Sequence, residues 1–261
     1  MSNPSILLNI ENNIATITLN RPEVFNSFNR DMALLLQKTL DDCEQDKTVR
    51  AIVLTGTGKA FCAGQDLKEV TNPEHNPGFK KILEEHYNPI ITRIRNIQKP
   101  IIGAVNGVAA GAGANIALAC DVVVAHEKVS FIQAFSLIGL IPDSAGTFFL
   151  PRLVGFQKAS ALAMLGDKVG AIQAEHMGMI YKVLPQDTFT DEVQQLAVKL
   201  AQMPTKALGL IKKSLNASLT NNLEQQLALE AKYQIEAANT ADYKEGVTAF
   251  VEKRTPKFKG H

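Results

Sequence analysis

Apolar and polar residues alternate at the start of the chain. The alternation runs over residues 6–10 and returns over residues 14–19, with Asn12 and Asn13 between the two runs. Such alternation is typical of strands with one buried face, and a pair of asparagines favours a tight turn. The pattern therefore predicts an antiparallel hairpin.

Helical periods follow the hairpin. Residues 30–45 predict a helix with Asn29 as its N-cap and Asp31 in its first turn, where the helix dipole favours an anion. Past about residue 185 the period is helical throughout. The C-terminal third is therefore expected to form a separate helical layer.

Three short, continuous apolar runs lie between these regions, at residues 51–55, 101–105 and 122–125. Runs of this kind are typical of strands buried on both faces, and the segment 79–97 between the first two predicts a helix. The alternation of buried strands with helices indicates an α/β fold. The loop-like residues 71–78 are interpreted as a lid over a nearby site.

Charge and cysteine usage narrow the classes of partner. The 261 residues include 27 Lys+Arg and 26 Asp+Glu, so no overall field attracts nucleic acid or a membrane surface. The N-terminus has no secretory pattern and no apolar stretch is long enough to span a bilayer. Three widely spaced cysteines favour free thiols and a cytoplasmic location. The five histidines have no metal-ligand spacing, so no metal is predicted.

The segment 105–121 is rich in alanine and glycine. Small residues let a ligand approach the backbone, and a helix beginning near Ala112 would expose its first amides. Close packing of a helix on a strand explains the same composition equally well. A dinucleotide site fits poorly, because the third glycine of its motif would fall at Ile116 and Glu127 follows too early.

A second small-residue loop, GKAFCAGQDL at residues 58–67, follows the apolar run 51–55. Ligands bind open α/β sheets at the carboxyl ends of strands, although a plain connection to the next helix has the same appearance. Cys62 has no neighbouring histidine to activate it, which favours a space-filling thiol over a nucleophile.

Five segments occur together in one order: 20–29 (NRPEVFNSFN), 58–67, 99–113 (KPIIGAVNGVAAGAG), 137–147 (LIGLIPDSAGT) and 249–258 (AFVEKRTPKF). In this order and spacing they resemble the crotonase superfamily, the enoyl-CoA hydratases and isomerases. The resemblance implies an α/β spiral of ββα units over residues 1–195 and a helical region for trimerisation over 196–261, often as trimers paired into hexamers. It implies acyl-CoA substrates and no separate cofactor, because CoA is part of the substrate.

The resemblance also implies the reacting groups. The backbone amides of Gln65 and Ala112 correspond to the family's two donors to the thioester oxygen. The two glutamates of the hydratases correspond to Asn115 and Phe135, neither of which can act as a base. Asp143 corresponds to the acid of relatives that are isomerases or dehalogenases.

Asp143 is therefore the predicted acid and base. Its apolar neighbours predict poor solvation, which raises the pKa of a carboxyl group. A role as N-cap of a helix starting at Ser144 is the competing interpretation, and both roles can hold. The apolar neighbours are Leu137, Ile138, Leu140, Ile141, Phe148 and Phe149.

Lysines close to the small-residue loop and near the C-terminus are candidates for binding the CoA phosphates, with Lys257 reaching a neighbouring subunit. A solvated surface lysine gives the same pattern. The substrate- and CoA-binding candidates together are Lys59, Ala60, Ala63, Asp66, Lys68, Gly111, Phe135 and Lys257.

The sequence separates the single-aspartate reactions only in part. The chain has no tryptophan, which dehalogenases use, and it lacks the further acids of dienoyl isomerases. Two reactions remain: a Δ3/Δ2-enoyl shift in fatty-acid catabolism and the isomerisation of ring-1,2-epoxyphenylacetyl-CoA in phenylacetate catabolism. The motifs of this chain most resemble those of enzymes that catalyse the second reaction. Hydration, a non-catalytic acyl-CoA-binding subunit and a nucleotide-dependent oxidoreductase are the alternatives.

Overall fold

The computed structural model describes residues 4–74 and 76–261. It is an α/β structure whose strands are β1 Ile6–Glu11, β2 Ile14–Leu19, β3 Ala51–Gly56, β4 Ala60–Cys62, β5 Ile101–Val105, β6 Val108–Ala110, β7 Val122–His126, β8 Ser130–Ile132, β9 Lys168–Gly170 and β10 Lys182–Leu184. They form a six-stranded sheet in the order β1-β2-β3-β5-β7-β10 and a four-stranded sheet in the order β4-β6-β8-β9.

Helices surround both sheets, and within the described residues none is long and apolar enough to cross a bilayer. The α-helices are α1 Arg30–Gln45, α2 Leu67–Thr71, α3 Phe79–Lys81, α4 Asn88–Asn96, α5 Ala112–Leu118, α6 Gly146–Val154, α7 Phe156–Leu165, α8 Ala171–His176, α9 Phe189–Gln202, α10 Thr205–Ser218, α11 Leu223–Ala238 and α12 Ala241–Val251.

The predicted hairpin and first helix are confirmed. β1 pairs antiparallel with β2 from Ile6 opposite Leu19 to Glu11 opposite Ile14, and the intervening asparagines have φ of 52° and 64°. Helix α1 has the predicted bounds, and the Asn29 side chain accepts a hydrogen bond from the backbone of Met32 at 3.0 Å. Local residue types therefore set this part of the fold.

From β3 to β8 consecutive strands alternate between the two sheets, so this part of the chain advances as a spiral. β3, β5 and β7 are parallel neighbours in the large sheet, while β4, β6 and β8 are parallel neighbours in the small one. Because parallel strands end at one edge of their sheet, the three loops that follow β4, β6 and β8 meet there. This edge is where the small-residue segments of the sequence come together.

The central strands of the large sheet are buried on both faces. One face belongs to a cluster with α1, α4 and α5, and the other packs against α9 through Phe189, Val193, Ala197 and Ala201. Burial on both sides explains why β3, β5 and β7 are almost entirely apolar. The boundary expected between residues 195 and 196 falls within α9.

The predicted helix at 79–97 has a different internal geometry. Helices α3 and α4 are joined by a π-helical segment, Ile82–Tyr87. Wider turns of this kind are rare and occur mostly near functional sites. The predicted lid at 71–78 consists of the end of α2 and a loop, in which His75 lies outside the described residues.

Candidate active site

A cavity of about 640 Å³ opens at the carboxyl edge of the small sheet. The loops after β4, β6 and β8 form its floor, and the π-helical segment and residues 138–143 form its sides. Of the predicted site residues, Ala63, Gln65, Asp66, Lys68, Gly111, Ala112, Phe135 and Asp143 line this cavity.

Residues 63–66 and 111–112, called the amide wall below, present backbone to the cavity. Phe28 pairs in parallel with Gln65, donating to Gly64 O at 2.7 Å and accepting from Asp66 N at 2.8 Å. This pairing leaves the Gln65 N–H out of the ladder. Ala112 is the first residue of α5, so its N–H has no acceptor within the helix. Within residues 4–74 and 76–261, neither amide donates a hydrogen bond.

The two halves of the amide wall touch each other through a glycine. Gly64 has a φ of 91°, and a Cβ on it would lie 3.1 Å from Ala110 O and 3.4 Å from Ala112 N. A residue with a side chain would separate the halves, so glycine lets the two free amides lie side by side. Close packing explains a different glycine: a Cβ at Gly113 would lie 2.3 Å from Cys62 O.

Asp143 faces the amide wall from residues 139–145, called the acid loop below. Its side chain lines the cavity and is partly buried, and it accepts a hydrogen bond from Ser144 Oγ at 2.9 Å. Burial raises the pKa of the Asp143 carboxyl, against the smaller opposing effect of the Ser144 hydroxyl. A carboxyl group with a raised pKa is better suited to exchange protons near neutral pH.

The interpretation of Asp143 as an N-cap at Ser144 is wrong. Helix α6 begins at Gly146, and Ala145 in the left-handed region precedes it without a side-chain cap. Ser144 and Ala145 have φ of 50° and 59°, a conformation that costs a residue with a Cβ roughly 1–2 kcal/mol. This strained turn keeps the Asp143 carboxylate off the helix and beside the cavity.

Asn115 holds the acid loop from below. It is 1% exposed, and its Nδ2 donates to Asp143 O at 2.8 Å while its Oδ1 accepts from Gln133 Nε2 at 2.8 Å. Both ends of the amide are used in these contacts, so Asn115 supports the backbone of the acid. Phe135 is 6% exposed and gives the cavity an apolar side next to Gly111.

Asp66 supports the amide wall, with its carboxylate turned to protein groups. It pairs with Arg21 at 2.8 Å and accepts from the backbone of Lys68 at 3.0 Å, which caps α2. Asp66 and Asp143 are the acids among the described lining residues, and Asp143 is the one without a cationic partner.

Three predicted CoA-binding residues do not line the cavity of this single chain. Ala60 is buried in β4, where its carbonyl accepts from Asn26 Nδ2 at 2.8 Å. Lys59 and Lys257 are exposed on the surface, and the Lys257 backbone donates to Glu245 at 2.7 Å. Lys68 is the predicted lysine that lies at the cavity.

The apolar neighbours predicted for Asp143 divide into three pairs. Ile138 and Leu140 line the cavity. Phe148 and Phe149 do not line it, and their rings lie under the guanidinium groups of Arg152 at 3.9 Å and an arginine of α4 at 5.4 Å. Leu137 and Ile141 are exposed in the single chain, and Ile141 has 79% of its surface open.

Cys62 has the environment predicted for it, whereas Tyr87 has a role in the site that was not predicted. Cys62 is buried, and burial raises the pKa of its thiol to about 12, as expected of a space-filling residue. Tyr87 lines the cavity and donates to Gln65 Oε1 at 3.0 Å, a role the sequence did not predict. The sequence placed Tyr87 in a predicted helix, but the helical period did not show which face of that helix meets the cavity.

Known proteins of similar sequence share this fold and its length. The chain is 48% identical to 1,2-epoxyphenylacetyl-CoA isomerase of Escherichia coli over 98% of both chains, and 45% identical to a probable enoyl-CoA hydratase of Rhodobacter capsulatus over 100% of both. A crystal structure of a putative enoyl-CoA hydratase/isomerase from Mycobacterium abscessus superimposes with a TM-score of 0.91 at 33% identity, covering 98% of this chain and 100% of that one.

The sequence model of the enoyl-CoA hydratase/isomerase family matches residues 9–261. The resemblance to the crotonase superfamily and the α/β spiral expected from it are therefore confirmed. The chain belongs to the enoyl-CoA hydratase/isomerase family.

Proposed function

We propose that this protein is an acyl-CoA isomerase in which Asp143 moves a proton between two carbons of the acyl group. The proposal rests mainly on one observation: among the described residues that line the cavity, Asp143 is the acid without a cationic partner, while Asn115 uses both ends of its amide to hold the acid loop. A hydratase of this family needs a second acid to orient water, and its position here is Phe135. The similarity to an epoxyphenylacetyl-CoA isomerase supports the same conclusion.

In this mechanism the thioester oxygen accepts hydrogen bonds from the amides of Gln65 and Ala112. Removal of a proton beside the thioester places negative charge on that oxygen, and each well-placed donor is worth roughly 3–4 kcal/mol in such sites. Asp143 then returns the proton to another carbon. The apolar surface of Phe135 suits an aromatic-derived acyl group, which favours the ring-1,2-epoxide over a Δ3-enoyl group.

The proposal also covers CoA binding, the oligomeric state and the location of the protein. CoA enters as part of the substrate, with no separate cofactor, and Lys59, Lys68 and Lys257 are candidates for its phosphates. We also propose a cytoplasmic trimer or hexamer. Three buried free thiols support a reducing compartment, and exposed apolar residues on the last helices, such as Phe250 at 86%, support self-association.

Incubation with 2-enoyl-, 3-enoyl- and ring-1,2-epoxyphenylacetyl-CoA in deuterated water tests the proposal. We expect isomerisation with incorporation of label and no hydration. Asp143→Asn should lower kcat by ~10²–10⁴ while CoA binding is retained. Efficient formation of a 3-hydroxyacyl-CoA would overturn the assignment, acyl-CoA binding without turnover would select a binding subunit, and NAD(P) binding would select an oxidoreductase.

A further inference from the structure

Tyr87 lies at the end of the π-helical segment, with 1% of its surface exposed. Its ring packs edge-on against Phe28, with ring centroids 6.0 Å apart and an interplanar angle of 70°. Phe28 is the residue whose backbone pairs with Gly64 and Asp66 on either side of Gln65. The phenol is therefore fixed against the same segment that holds the amide wall in register.

The direction of the hydrogen bond between Tyr87 and Gln65 follows from the next contact. Gln65 Nε2 lies 2.8 Å from Glu69 Oε2, and a carboxylate only accepts hydrogen bonds. The nitrogen must therefore face Glu69, and the oxygen faces Tyr87, which donates to it at 3.0 Å. Burial raises the pKa of Tyr87 well above its ordinary value, so the phenol keeps the proton that it donates.

The second carboxylate oxygen of Glu69 continues the chain of contacts. It accepts from the backbone N–H of Arg30 at 2.9 Å, the first amide of the 16-residue helix α1. These three hydrogen bonds therefore link the π-helical segment, the amide wall, α2 and α1. They run from Tyr87 through Gln65 and Glu69 to Arg30. Both ends of the Gln65 side-chain amide are held, which leaves little freedom for the backbone to which they belong.

We propose that Tyr87 is a positioning residue, which fixes the Gln65 side chain and through it the backbone amide that receives the thioester oxygen. The inference rests on the proposed use of that amide. Losing this hydrogen bond at a site that favours the transition state should reduce kcat by about tenfold, which corresponds to about 1.4 kcal/mol, with little change in KM.

Three variants test whether Tyr87 acts through Gln65. Tyr87→Phe removes the phenol oxygen, and Gln65→Met removes both side-chain contacts but keeps the backbone N–H. We expect each single variant to lower kcat by about tenfold, and the double variant to be no slower than Gln65→Met, because Gln65→Met already lacks the contact that Tyr87→Phe removes. Multiplied effects in the double variant, an effect on KM alone, or unchanged kcat in Tyr87→Phe would overturn the inference. Tyr181→Phe changes a tyrosine that is 66% exposed and should leave all parameters unchanged.

A spectroscopic measurement separates this inference from the proposed reaction. The carbonyl stretch of a bound 2-enoyl-CoA thioester falls in frequency when its oxygen accepts strong hydrogen bonds, and its measurement requires no turnover. We expect a smaller fall in Tyr87→Phe than in the wild-type protein, with Tyr181→Phe equal to wild type. If the wild type isomerises nothing but this difference is seen, the positioning role stands and the proposed reaction fails. An equal fall in both proteins overturns the positioning role even where isomerisation is observed.

Discussion

The amide wall and the acid loop face each other across one cavity, and they are held in opposite ways. The amide wall offers backbone atoms, while its side chains make the fixing contacts, as Asp66 does with Arg21. The acid loop offers the side chain of Asp143, and its backbone is fixed through Asn115 and a strained turn. In each region the backbone is held through atoms other than those that the region offers to the cavity. Side chains hold the amide wall and backbone contacts hold the acid loop, so the groups that meet the substrate are in place before it binds.

Among variants that leave Asp143 unchanged, the largest expected effect comes from removing a backbone amide of the wall. Ala112→Pro deletes the N–H at the first position of α5, where proline is best tolerated by a helix. Loss of one oxyanion donor should lower kcat by about 10²–10³ in steady-state assays. Ala112→Ser keeps the amide and serves as the control, which should remain within about tenfold of wild type. Equal loss in both variants would mean that the amide is not the functional group.

A smaller effect is expected from cutting the support of the acid loop. Asn115→Asp keeps the shape of the residue but cannot donate to the Asp143 carbonyl, which then lies buried without its partner. The free energy of unfolding, measured in urea, should fall by about 1–3 kcal/mol. Asn9→Asp adds the same charge at an exposed position of β1 and should change it by less than about 0.5 kcal/mol. An unchanged stability in Asn115→Asp would show that the acid loop is held by other contacts.

The two regions also differ in how much of them the sequence predicts. The large sheet and α1 have long periods and clear caps, so their bounds follow from residue type, as at Asn29. The strands of the small sheet that carry the amide wall have only three residues each, too few to give a period. The positions of these short strands could be predicted only from the resemblance to the crotonase superfamily.

Other features of the site depend on contacts between distant segments. Ser144 and Ala145 adopt left-handed conformations that neither residue type favours, so the sequence predicted an ordinary cap at Asp143. Tyr87 contacts Gln65 from the end of a π-helical segment, a geometry that a period of 3.6 residues does not predict. Both features appear where tertiary packing overrides local preference.

The smallest expected effect compares the stability of the acid loop at different pH values. Burial raises the pKa of Asp143 in the folded state, so the folded protein binds its proton more tightly than the unfolded chain does. Below the ordinary value of 3.8 both states are protonated, and the group costs no stability. As the pH rises from that value to the raised folded pKa, the unfolded chain releases this proton before the folded protein does, so the folded state becomes progressively less stable. Asp143→Asn lacks this charge, so its advantage in unfolding free energy over wild type should grow across this window and then level off. Urea unfolding of both proteins over a pH series measures the difference. A difference that stays constant with rising pH would mean that water reaches the carboxylate freely, and one that shrinks would mean that the folded protein stabilises its charge; either outcome contradicts a buried acid.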